Sequence, residues 1–284
     1  VSHQAEVIRY AAFTDTPDGG NPAGVVLDAS ALDGAEMLAI AADVGYSETA
    51  FLTQRADLAR TFDVRYFSPE AEVPFCGHAT IAAAIALADR EGPAELVFNA
   101  RAGAVPVRTS VDDSGLISAS LTSVATRTEA ADERLLAQTL AALGWAADDL
   151  DPGLPAHVAY AGAQHLILAA ATRERLATLD YAFAELKGLM LARDLTTIDL
   201  VWRERDDLFH ARNPFPVGGV YEDPATGAAA AALGGYLRAI GTVPAPARVT
   251  VLQGYDMGRP SRLILDIPPG EGGVTVSGTA VAIP

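Results

Sequence analysis

The sequence predicts an α+β protein of two lobes built to a common plan. Two observations carry this. Strand-like and helix-like segments alternate along all 284 residues, and two helical segments, one in each half, are Ala-rich and apolar on every face. A helix with no polar face must be wrapped by protein, and strands flank both of them. The length suits one large domain or two of middling size. The lobes are placed at 1–124 and 125–284, with the last strands free to pack back on the first lobe.

Glu6 to Phe13 reads as a strand, followed by a Gly/Pro-rich loop from Thr16 to Pro22 and a short strand from Val25 to Leu27. Met37, Leu38, Ala41 and Ala42 repeat at helical spacing within Asp33 to Val44, and Gly45 is a natural stop. A strand begins near Ser47 or Glu48. Phe62, Val64 and Tyr66 alternate with polar residues, as a half-buried strand does. The first all-apolar helix runs from Gly77 to about Arg90, and strands follow near Glu95 to Asn99, Val105 to Thr109 and Leu116 to Leu121. Leu135, Leu136, Leu140 and Leu143 mark another helix, and the acidic, Pro/Gly-bearing stretch from Asp148 to Pro155 reads as a linker.

The second half repeats the pattern. Strands are expected at His157 to Ala161 and His165 to Ala169, a helix at Tyr181 to Arg193, and strands at Asp199 to Arg203 and Asp207 to Arg212. The second apolar helix spans about Ala225 to Ile240. Strands near Arg248 to Gln253, Leu263 to Ile267, Val274 to Val276 and Ala280 to Ile283 close the chain. Cys76-Gly-His-Ala-Thr enters the first apolar helix and Asp223-Pro-Ala-Thr-Gly the second, so the two helix N-termini are candidates for one shared cleft.

Composition excludes several classes. Half of the residues are apolar and one fifth charged, the profile of a soluble globular chain, and no apolar run approaches a membrane span. No basic region precedes an apolar core at the N-terminus, so no signal peptide is expected and the cytoplasm is the default. A net charge of -16 opposes nucleic acid and anionic lipid. It also opposes a small anionic substrate, which local donors such as helix N-termini would have to hold. Cys76 is the only cysteine, which rules out an intramolecular disulfide and a two-thiol mechanism. Lys187 is the only lysine and reads as an exposed helical residue, which argues against pyridoxal phosphate and P-loop chemistry. The histidines at 3, 78, 157, 165 and 210 lack the spacings that put two ligands on one helical face, so neither a metal nor another cofactor is expected.

Several stretches, taken together, resemble those of the phenazine-biosynthesis PhzF family. They are Phe13 with Asn21-Pro22-Ala23-Gly24, Ser47-Glu48-Thr49-Ala50-Phe51, Arg65-Tyr66-Phe67-Ser68-Pro69, Cys76-Gly77-His78-Ala79-Thr80, Glu222 to Gly227, and Gln253-Gly254 through Pro260. They occur in family order and span nearly the whole chain. The resemblance implies the diaminopimelate epimerase-like fold, with each lobe a barrel-like sheet around a central helix, an active site between the lobes, and a homodimer. It implies cofactor-free isomerisation of a small carboxylate; the best-known family activity acts on trans-2,3-dihydro-3-hydroxyanthranilate.

On that resemblance Glu48 is the general acid/base, with Asp223 and His78 as further catalytic residues. Read without it, Glu48 is a surface acid, Asp223 a helix N-cap and His78 a structural histidine. The role suits Glu48 physically, because a carboxyl facing an apolar cleft has its charged form disfavoured and can both donate and accept a proton. Ser47, Gly77, Gly227 and Ala228 are the substrate-binding candidates, the last three through backbone N–H groups. Two features depart from the family. Ala228 stands where serine is common, and Arg212-Asn213-Pro214-Phe215-Pro216 shifts phenylalanine one place along, so the substrate stays open. The alternatives are an amino-acid racemase or epimerase of the same fold, which in the related enzymes uses cysteines at the positions of Cys76 and Asp223, and a small-molecule-binding homologue without catalysis.

Overall fold

Residues 5–284 are described by a computed structural model; His3, at the start of the 1–124 lobe, lies outside them. The chain divides into two units. One runs to Thr122 and takes back Ser277–Pro284, and the other is Ser123–Val276.

The first unit holds β1 (Ile8–Ala12), β2 (Asn21–Val26), α1 (Gly34–Val44), β3 (Glu48–Gln54), β4 (Thr61–Phe67), β5 (Glu72–Val73), α2 (Gly77–Glu91), β6 (Glu95–Ala100), β7 (Gly103–Val111) and β8 (Ile117–Thr122). Asp33 caps α1 in a reciprocal capping box with Glu36, and Gly45 ends it in the left-handed conformation. The strand expected from Val25 starts four residues earlier. Pro22 is its second residue, near the strand start where a missing N–H is tolerated.

Pairing runs β1–β2–β3–β4–β6–β7–β8. The strand β17 (Thr275–Ala282) pairs with both β1 and β8 and so closes an eight-stranded barrel. Two strands were expected there. One continuous strand forms because Gly278 lets it pass Phe13: a Cβ at Gly278 would lie 2.3 Å from the Phe13 ring.

Inside this barrel every residue of α2 from His78 to Ala88 is buried. The run of alanines keeps the helix thin enough to sit within the strands, while Ile81 and Ile85 fill the space that remains. Burial of this kind makes an Ile→Ala change there worth about 2–5 kcal/mol. The N-terminal turn of α2 is tied down by polar contacts. Tyr66 OH donates to Thr80 Oγ1 at 2.7 Å, and Thr80 Oγ1 donates to the Cys76 carbonyl at 2.7 Å.

The second unit contains β9 (Arg127–Ala130), α3 (Glu133–Leu143), β10 (His157–Tyr160), β11 (Gln164–Ala169), α4 (Arg173–Ala177), α5 (Phe183–Ala192), β12 (Thr197–Arg205), β13 (Leu208–Pro214), β14 (Glu222–Asp223), α6 (Gly227–Ala239), β15 (Ala247–Gln253) and β16 (Ser261–Ile267). In chain order β17 is therefore the closing strand of the first unit. The sheet order is β9–β10–β11–β12–β13–β15–β16, and it wraps α6, which is buried from Ala229 to Leu237. On the outer face Leu166, Leu168, Ile198 and Leu200 pack with Leu135, Leu140, Leu186 and Met190 of α3 and α5. Strand alternation then turns His165, Ile167, Thr197 and Asp199 to the inner face, toward α6. The architecture is α+β, with a barrel-like sheet around a central helix in each unit.

Asp148 to Pro155 is not a linker. Leu154 is buried, Leu150 bridges Ala170, and the Asp151 N–H reaches the Ala169 carbonyl at 2.9 Å, so this stretch is built into the second unit by its apolar residues. The same arrangement precedes each central helix. Arg65 on β4 makes a two-pronged ion pair with Glu72 of β5, and Arg212 on β13 does so with Glu222 of β14. The second pair is almost fully buried. Among the described residues no helix is long and apolar enough to cross a membrane.

Candidate active site

In the first unit three distant stretches meet at His78. Ser47 and Glu48 stand at the start of β3, Asn21 opens β2, and Cys76 and His78 form the entry to α2. Parallel pairing sets Ala23 opposite Glu48, which brings the two strand starts together. His78 Nε2 lies 3.4 Å from Ser47 Oγ and 3.5 Å from Glu48 Oε2. Asn21 Nδ2 is 3.2 Å from His78 Nδ1. An amide N–H donating to Nδ1 leaves the ring proton on Nε2, so the imidazole presents a donor to the Glu48 carboxylate and the Ser47 hydroxyl. Cys76 Sγ lies 3.4 Å from the same Nδ1. His78 is buried, whereas Glu48 keeps 18% of its side chain exposed.

Cys76 is the N-cap of α2, and its side chain makes no capping hydrogen bond. The first turn, beginning at Gly77, therefore presents backbone donors that no capping side chain covers.

In the second unit Asp223 ends β14 and pairs with Asn213 of β13. It is not the cap of α6; Thr226 is. The short strand β14 takes up Glu222 and Asp223 before the chain turns into the helix, which moves the cap three residues along. Thr226 Oγ1 donates to Asp223 Oδ2 at 2.5 Å, and Gln253 Nε2 donates to the Asp223 carbonyl at 2.8 Å. Gln253 also accepts the Thr226 N–H at 3.1 Å. Gly254 follows in the left-handed conformation, and a Cβ there would lie 2.2 Å from the Arg259 carbonyl oxygen, so only glycine fits. Gly227 and Ala228 are the first residues of α6, half-buried, and Thr226 offers no side-chain cap to that helix either.

Behind Asp223 lies a buried polar chain. His165 Nδ1 meets Thr197 Oγ1 at 2.8 Å, Thr197 Oγ1 donates to Asn213 Oδ1 at 2.8 Å, and Asn213 Nδ2 donates to Asp199 Oδ1 at 2.9 Å. Asp199 Oδ2 and His165 Nε2 have no partner. Burial pushes the Asp199 carboxyl up to about 7, partly offset by the Asn213 hydrogen bond, and pushes His165 down to about 3.

A family model described as phenazine biosynthesis-like protein matches residues 10–284. An uncharacterized isomerase of Bacillus subtilis is 30% identical over 290 residues, covering 99% of this chain and 96% of the relative. The chain belongs to the phenazine biosynthesis-like family. A trans-2,3-dihydro-3-hydroxyanthranilate isomerase of Pseudomonas aeruginosa is 30% identical over 254 residues, 89% of this chain and 86% of that one. A crystal structure of a PhzF-family phenazine biosynthesis protein from Bacillus anthracis superposes with a TM-score of 0.88 at 25% identity, covering 99% of this chain and 97% of the other. A hydroxyproline epimerase from Agrobacterium vitis shares the fold, with a TM-score of 0.65 at 12% identity over 97% of this chain and 90% of its own.

This member of the phenazine biosynthesis-like family is thus an isomerase on the diaminopimelate epimerase-like fold. Glu48, His78, Ser47 and Gly77 come together in its first unit. Asp223, Gly227 and Ala228 gather around the start of α6 in the second. Sequence reasoning missed two residues. Asn21, which sets the His78 tautomer, lies in a Gly/Pro-rich stretch that reads as loop. Gln253, which holds Asp223 and Thr226, looks like the end of an ordinary strand. Both stand inside segments that resemble the family, and that placement was the available signal.

Proposed function

We propose that the protein shifts a proton along the carbon framework of a small carboxylate substrate, in the manner of a trans-2,3-dihydro-3-hydroxyanthranilate isomerase. Glu48 takes the proton from one carbon as that C–H bond breaks, the double bond moves, and Glu48 returns the proton to a second carbon. The observation that carries this is the partly buried Glu48 carboxylate set 3.5 Å from the Nε2 of a buried His78 whose other nitrogen is occupied by Asn21. A carboxylate so placed can accept a proton and be steadied by a neutral donor while it does so.

The substrate carboxylate is held in the first unit by the Gly77 backbone N–H and the Ser47 hydroxyl, which reconciles an anionic ligand with a chain of net charge -16, and Gly227 and Ala228 offer backbone donors of the same kind at the start of α6. Asp223 acts at the α6 entry by hydrogen bonding, through its carboxylate to Thr226. The proton removed is the proton returned, so the cycle needs no redox partner and no cofactor. The protein works as a homodimer, which light scattering checks; a monomer would remove the dimer and leave the mechanism intact. A racemase using two opposed thiols is disfavoured because Cys76 is the sole thiol.

The test is a variant series on the substrate found, run in deuterium oxide with products read by NMR. Glu48→Gln keeps the shape but cannot carry the proton. Turnover should fall by a factor of about 10² to 10⁴ while a carboxylate analogue binds almost as before. Asp223→Asn should lose less. A folded Glu48→Gln protein with near-normal turnover would overturn the assignment and move proton transfer to Asp223 or His78.

A further inference from the structure

Glu48, Cys76 and His78 bring together three different metal-binding groups. Their ligand atoms all lie within 4.8 Å of one another, and Cys76 and His78 are buried. His78 Nε2 is 3.5 Å from Glu48 Oε2 and 3.9 Å from Cys76 Sγ. Tetrahedral zinc bonds of about 2.0–2.3 Å give ligand-to-ligand edges of about 3.3–3.6 Å. The two measured edges therefore need to close by only a few tenths of an ångström. A thiolate and a carboxylate would also balance the two charges of the ion, and the mixture of sulfur, nitrogen and oxygen suits zinc far better than magnesium or calcium.

The support around the triad fits as well. An imidazole that coordinates through Nε2 carries its proton on Nδ1 and requires an acceptor there. Asn21 sits at 3.2 Å from Nδ1, and rotating its amide presents Oδ1 to that proton. The α2 entry that carries both Cys76 and His78 is fixed by the Tyr66–Thr80–Cys76 hydrogen bonds, so two of the three ligands stand on anchored backbone.

We propose that Cys76, His78 and Glu48 form an inhibitory zinc-class site in which the ion coordinates the carboxylate that would otherwise carry the proton. The thiol proton leaves to the buffer as the metal binds. One tetrahedral position stays open to water or a small anion. The metal is no participant in turnover; it removes Glu48 from use. The inhibitory consequence rests on the function proposed above, whereas the binding of the ion does not.

The full-length chain, stripped with chelator and dialysed, is titrated with Co²⁺ as an optical probe and with Zn²⁺ by calorimetry. The expected result is one ion per chain, with a thiolate-to-cobalt charge-transfer band and the strong visible bands of four-coordinate cobalt, both displaced by zinc. Cys76→Ala and His78→Asn should each weaken zinc by at least about tenfold, since even supporting residues around a metal contribute that much. The band in the unsubstituted protein decides the matter should a variant fail to fold. No thiolate band, or one-to-one zinc binding of equal affinity in both variants, would overturn the site. Where turnover is measured, its loss should track zinc occupancy and reverse on chelation. Full occupancy with undiminished turnover would overturn the inhibition and the role of Glu48 while leaving the metal site standing.

Discussion

Asp199→Asn is a substitution whose effect should depend on pH in a way that contacts alone do not predict. Burial disfavours the charge of the folded-state carboxyl and pushes it up to about 7 from its ordinary value of 3.8. Below pH 4 the group is protonated in both the folded and the unfolded chain and contributes no pH dependence. As pH rises from 4 to 7, the unfolded chain gives up this proton while the folded chain keeps it, so stability falls. Above 7 both states are ionised and the loss is complete, at about 4 kcal/mol in total from 1.36 kcal/mol per pH unit. Asparagine keeps the shape and the acceptor for Asn213 Nδ2 and does not titrate. His165 shifts in the opposite sense, titrating at about 3 when folded, so its own contribution grows as pH rises toward 6.5. It is common to both proteins and cancels in the difference. Urea unfolding at pH 5 and pH 8 should therefore show the variant gaining on the parent by about 3 kcal/mol between the two conditions. A difference that stays constant from pH 5 to 8 would refute the buried, protonated state assigned to Asp199.

Two further substitutions probe the first unit. Gly278→Ala should destabilise by about 1–3 kcal/mol, since its Cβ would press on Phe13 in a packed barrel, and the midpoint of thermal unfolding reports it. Tyr66→Phe removes the donor to Thr80 Oγ1 and should lower stability by about 1 kcal/mol in urea unfolding, with a larger relative effect on turnover, because the α2 entry carries His78.

What could be read from the sequence was whatever has a local cause. The all-apolar faces of α2 and α6, the Asp33 cap with its Gly45 stop, and the alternation of Phe62, Val64 and Tyr66 each act within a few residues, and each reappears in the structure. Arg127–Ala130 has no apolar alternation, and its strand exists because β10 pairs with it; α4 is five residues long, too short to show a period. The site divides along the same line. Cys76-Gly-His-Ala-Thr and Ser47-Glu48 are compact motifs. Asn21 acts on a histidine 57 residues away, a relationship that only the packing of α2 against β2 creates. Asp199 reads as the polar member of an alternating strand, but while α3 and α5 cover the face of Ile198 and Leu200, the face that carries Asp199 turns inward toward α6, and its carboxyl is left inside.

The return of β17 to the first unit also sets an order in time. On the ribosome β1 through β8 and α2 emerge first, but the stave that joins β1 to β8 is completed only after all of Ser123–Val276. Until Thr275–Ala282 appears, β1 and β8 are open edges with unpaired backbone groups beside an apolar helix, the kind of surface that recruits chaperones or neighbouring chains. The part of the chain synthesised first is the last to be finished, and the segment interrupting it has its whole sequence available before that closure.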